Sequence, residues 1–117
     1  MRRWGAQNGY TVAAMLERIT IDTFAPLVGQ AFHLHVEGRE PLGMTLETVS
    51  EIPVAGWRAE EVAAHRQPFS LLFLGPPNVV LPQAIYRFEH DGIGTFEMFI
   101  VPIGRTAEGV SYEAVFS

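Results

Sequence analysis

At 117 residues, 48% hydrophobic and 18% charged, the chain has the length of one domain and enough apolar material for a core, and its low charge argues against an intrinsically disordered chain. It has no cysteine, so disulfides, zinc thiolate sites and thiol catalysis are excluded. The net charge is −5, and the eight basic residues, all arginine, are scattered apart from Arg2-Arg3; nucleic acid, which needs clustered cations, is not expected as a partner.

The first fourteen residues, with Gly5, Gln7, Asn8 and Gly9, show no period. They read as a flexible N-terminal extension to a single domain over residues 15–117, with a short ordered arm anchored by Trp4 and Tyr10 as the alternative. They hold no apolar signal core, and no apolar run reaches the ~20 residues of a membrane helix. A cytoplasmic protein is expected. Around Asp22 to Gly29 the pattern predicts one or two helical turns, with Asp22 or Thr23 as cap, Pro26 in the first turn and Gly29 after the last. Phe24, Leu27 and Val28 point from it toward a core.

From Ala31 to Val36, Phe32, Leu34 and Val36 alternate with His33 and His35, which predicts a half-buried strand. A turn at Glu37–Pro41 leads to a second strand from Leu42 to Ile52. Pro53 to Pro68 carries only Trp57 and Val62 as anchors and reads as a helical turn or a mobile connection. Phe69–Leu74 is apolar on both faces, a central or covered strand. Val79, Val80 and Leu81 follow in an extended loop among Pro76, Pro77 and Pro82. Ala84–His90, Thr95–Val101 and Val110–Phe116 complete six strands, with the fifth expected to stop at Pro102. Short strands separated by Gly, Pro and Asp turns predict a mainly β fold, a six-stranded antiparallel barrel or sandwich in meander order, with the short N-terminal helix plugging one end.

Several residues invite chemistry. His33 and His35 share one strand face and would bind a metal if Glu47 reached them across the hairpin; two histidines on a solvated face are the commoner outcome. His90-Asp91 suggests an acid–base pair, but adjacent strand residues point to opposite faces and Asp91-Gly92 is turn chemistry. Glu89, Glu97 and Glu113, on successive strands, either line up or form ordinary cross-strand pairs. No Gly-x-Ser-x-Gly element is present. The sequence assigns no catalytic residue, no cofactor and no metal. Pro76, Pro77, Val79, Val80 and Leu81 form a stiff apolar loop, either an interaction site or a lid over the barrel mouth. Phe69, Phe73, Tyr86, Phe88, Phe96 and Phe99 either line a ligand pocket or pack the core.

The segments Phe24-Ala-Pro-Leu-Val-Gly, Phe69-Ser-Leu-Leu-Phe-Leu-Gly-Pro, Leu81-Pro-Gln-Ala-Ile-Tyr-Arg-Phe-Glu-His, Gly94-Thr-Phe-Glu-Met-Phe-Ile-Val-Pro-Ile-Gly and Tyr112-Glu-Ala-Val-Phe, with Leu16, are similar to a family of small bacterial proteins built on a domain of unknown function. The resemblance runs from about Met15 to the C-terminus. It implies no activity, and it suggests companions of phage-tail-collar-like fibre proteins. The expected function is a non-enzymatic interaction or accessory protein with a protein partner, and a homodimer through a sheet edge is one form of it. The alternative is a small-molecule-binding barrel.

Overall fold

A computed structural model describes residues 19–53, 56 and 68–116. The expectations for the N-terminal extension and for most of the connection from Pro53 to Pro68 lie outside those residues. One α-helical turn, α1 (Ile21–Phe24), runs into a 3-10 turn at Ala25–Leu27. Six strands follow: β1 (Ala31–His35), β2 (Leu42–Glu51), β3 (Phe69–Gly75), β4 (Ala84–His90), β5 (Gly94–Thr106) and β6 (Gly109–Phe116). They close into an antiparallel barrel in the order β1-β2-β3-β6-β5-β4. No helix among the described residues is long and apolar enough to cross a membrane.

The alternation read from the sequence is the alternation the barrel buries. Phe32 and Leu34, Met44 and Leu46, Phe69, Leu71 and Phe73, Phe88, Phe96, Met98 and Ile100, and Tyr112 and Ala114 all face inward. Burying side chains of this size at ~25 cal/mol per Å² of apolar surface is what closes the sheet. The strands run as a meander within each half of the chain, but β4 does not pair with β3. It returns beside β1, and β6 pairs with β3. The spatial order β4-β1-β2-β3 is a Greek key. The connection from Pro76 to Gln83 is long enough to cross the barrel end, and no two-residue hairpin turn holds β4 against β3.

Three local features depart from the sequence reading. Val28, expected to point toward the core, is 46% exposed. The helix is entered through Thr20, whose N–H donates to Thr23 Oγ1 at 3.2 Å, so the cap lies ahead of Asp22. And β5 does not stop at Pro102. It continues to Thr106, paired with β6 and bulged between Pro102 and Gly104. Pairing with β4 ends at Ile100, so Pro102 lies where one flank of the strand is free, the setting in which a strand tolerates proline.

The two ends of the barrel are sealed differently. At one end Phe24 is fully buried, its ring centroid 6.5 Å from Phe32, 6.1 Å from Phe69 and Phe96, and 5.7 Å from Phe116. These rings come from the starts of three strands and the end of a fourth, so α1 is the plug. At the other end the β3–β4 connection folds over the mouth. There β3 and β6 approach so closely that a Cβ on Gly109 would run into the carbonyl oxygen of Gly75, and one on Gly75 would lie 2.8 Å from Met44 Sδ.

Candidate functional site

The end covered by the β3–β4 connection carries the residues singled out as an interaction loop. Leu81 is buried and Val79 packs against the core, whereas Val80 is 50% exposed and Pro77 and Asn78 face solvent. Tyr112 sets this division. Its hydroxyl accepts the Leu81 N–H at 2.9 Å and donates to the Val79 carbonyl at 3.4 Å. Arg105, on the extended part of β5, donates from Nη2 to the Pro77 carbonyl at 3.2 Å. The Tyr86 hydroxyl donates to the Pro82 carbonyl at 2.7 Å. Three side chains from three strands thus hold one loop, in which Val79 and Leu81 pack inward while Pro77, Asn78 and Val80 are exposed. Burial raises the Tyr86 phenol above its ordinary value of 10.0, and Tyr112 adds to the rise.

The aromatic residues proposed to line a pocket divide as well. Phe69, Phe73, Phe88 and Phe96 are interior and in ring contact: Phe69 stacks on Phe116 at 4.8 Å, Phe73 lies 5.2 Å from Phe88, and Phe88 lies 6.2 Å from Phe96. Tyr86 is half-buried at the mouth. Phe99 does not belong with them. It is 50% exposed, because it shares strand parity with Glu97 and so points outward.

The polar candidates sit mostly on the outer face. His33 and His35 share that face, but the residue opposite His33 on β2 is Gly43, and Glu47 lies at the bulge further along β2. The carboxylate that reaches His35 comes from β4: His35 Nε2 donates to Glu89 Oε1 at 2.9 Å. The expected third ligand is therefore misplaced, since the barrel closes β1 onto β4. The three glutamates do not line up either. Glu89 lies opposite Thr95, Glu97 opposite Arg87, and Glu113 opposite Val101 and Leu72.

His90 is the exception, buried at 8% exposure. Gly92 N–H donates to its Nδ1 at 2.9 Å, so Nε2 is the N–H that donates to Gln30 Oε1 at 2.8 Å. Its ring lies 4.6 Å from that of Phe32. Both nitrogens are spent on fixing the β4–β5 turn and the segment before β1. Asp91 takes no part, which removes the acid–base pair. Sequence reasoning missed Gln30 and the Tyr112 hydroxyl. The latter had a signal: a tyrosine at an inward position needs a partner for its O–H.

A family model described as a domain of unknown function, DUF6916, matches residues 19–116. No curated protein and no solved structure matches the chain.

Proposed function

The chain belongs to the DUF6916 family, a domain without an assigned activity, and we propose that it is a non-enzymatic binding domain, an accessory or assembly protein that offers its β3–β4 loop to a protein partner. The observation that carries this reading is the bracing of that loop. Tyr112, Arg105 and Tyr86 hold it from beneath while Val80 stays half exposed beside Pro77. A loop already fixed in one conformation loses little entropy when a partner seats on it. An exposed valine flanked by prolines is a surface that recognises by shape and apolar contact.

The sequence resemblance to small bacterial proteins that accompany phage-tail-collar-like fibre proteins supports a fibre-like protein in the bacterial cytoplasm as the first partner to try. The ligand-binding alternative has no comparable observation behind it, since its interior phenylalanines are engaged with one another.

The test is co-purification from the source cells with wild-type chain and a Val80→Glu variant whose far-UV circular dichroism matches it. A specific protein retained by wild type and depleted about tenfold or more by Val80→Glu, a loss of ~1.4 kcal/mol, supports the loop as the contact. Equal retention by both chains, or none by either, refutes it.

A further inference from the structure

Among the described residues, an exposed apolar line crosses the outer surface of three strands. Ile85 on β4 and Phe99 on β5 are cross-strand partners. Continuing the Ile100–Ala114 register by one residue puts Val115 of β6 on the other flank of Phe99. The three side chains are 64%, 50% and 56% exposed. Single apolar residues on a surface are ordinary, whereas a contiguous line across three neighbouring strands marks a contact face.

The charges around this line are placed diagonally. Arg87 lies one outward position from Ile85 toward one end of the barrel, opposite Glu97. Glu113 lies one outward position from Val115 toward the other end, opposite Val101. Among the described residues the ion pair is His35–Glu89, and neither Arg87 nor Glu113 is engaged in one. The face therefore carries a cation at one corner and an anion at the opposite corner, with Phe99 between them and the exposed Glu97 across from the cation.

We infer that this face binds a second copy of the chain. A two-fold axis lying in the interface and passing over Phe99, perpendicular to the line from Arg87 to Glu113, exchanges those corners. It crosses the two sheets at a steep angle, a known mode of sheet packing. Each Ile85 then approaches Phe99 and Val101 of the other copy, and each Arg87 meets Glu113 of the other copy twice over, as an isologous contact requires. The barrel is closed, so association proceeds through this face and not through an open sheet edge. An anionic membrane is a poor occupant, because Glu89, Glu97 and Glu113 outnumber Arg87 and Arg105 on these strands and basic residues are what such a surface attracts. A face centred on three side chains is small beside the ~800 Å² per partner of a standard interface, so dissociation is expected in roughly the micromolar range.

The experiment is sedimentation of the full chain from low micromolar to millimolar concentration. Wild type is expected to pass from one chain to two, with the transition weakened by salt. Phe99→Asp, with unchanged circular dichroism, is expected to remain a single chain. Arg87→Glu and Glu113→Arg are each expected to raise the dissociation constant about tenfold or more. Their equimolar mixture is expected to recover wild-type association, because a heterodimer of the two restores both ion pairs. A wild type that stays monomeric throughout overturns the inference, whether its face is bare, covered by the chain's own first 18 residues or kept for another protein. So does a Phe99→Asp variant that dimerises normally, or a mixture no tighter than its components. Val80→Glu is expected to dimerise as wild type does, so failure here and failure of the loop reading are separate results.

Discussion

Tyr112 joins the core to the loop that the proposed function depends on. Its ring is buried beside Met44 and Gly75, and its hydroxyl holds the Leu81 N–H. Tyr112→Phe keeps the ring and removes the acceptor, leaving a buried donor unsatisfied at a cost of about 1–3 kcal/mol. Urea denaturation is expected to show that loss, and the Leu81 amide is expected to exchange with solvent far faster than in wild type. An unchanged Leu81 exchange rate would mean that the hydroxyl does not hold the loop. Tyr86 gives a second handle, through pH. Burial, and then the neighbouring Tyr112, raise its folded-state value above 10.0, so the fold prefers the neutral phenol. That contribution is fully present below about pH 10 and is lost as pH rises through the higher folded value. Ionisation also removes the donor to the Pro82 carbonyl. Urea midpoints measured on the alkaline side are expected to fall for wild type and to fall less steeply for Tyr86→Phe; parallel slopes would contradict this.

Each secondary-structure element combines a local pattern, which a sequence displays, with neighbours, which it does not. The strands are legible because inward Phe, Leu and Tyr alternate with outward His, Glu and Thr; the alternating run Ala84–His90 has the bounds of β4. The end of β5 was not legible, because Pro102 breaks a strand only where both flanks are paired, and pairing belongs to the tertiary fold. Site residues followed the same division. The buried role of Phe88 is in the alternation, whereas Phe69 sits in a run apolar on both faces, and the Glu89 partner of His35 depends on β1 meeting β4, a contact made across 54 residues of chain. α1 is the sharpest case of an element defined by its surroundings. At four residues it is too short to be stable by itself, and it persists because Phe24 seals the barrel end against four other rings. Phe24→Ala is therefore expected to cost about 3–5 kcal/mol in urea denaturation and to release the amides of α1 to fast exchange. A cost under about 1 kcal/mol, the scale of a surface substitution, would show that the end is closed by something else.

For the molecule as a whole, the Greek-key order makes closure depend on two seams that join the halves of the chain. The β3–β6 seam has seven paired positions, from Phe69↔Phe116 to Gly75↔Val110. The β1–β4 seam has three, His33↔Glu89, Leu34↔Phe88 and His35↔Arg87, supplemented by the exposed His35–Glu89 pair, which at a surface is worth roughly 0–1 kcal/mol. Both seams pair residues far apart in sequence, so both carry a loop-closure cost, but the shorter one has fewer ladder bonds and less apolar contact to offset it. Opening β1 from β4 leaves the β2-β3-β6-β5-β4 sheet intact and exposes only one line of core. Sub-global openings of this kind occur at the least supported contacts of a fold. Native-state hydrogen exchange is expected to find the β1–β4 amides opening at a lower free energy than those of β3 and β6, which exchange only with global unfolding. Weakening the seam further with Leu34→Ala is expected to accelerate β1 exchange while the β3–β6 amides continue to follow global stability. Equal protection along both seams would mean that the barrel opens as one unit, with the plug at Phe24 and the loop tied by Tyr112 holding β1 in place from the two ends.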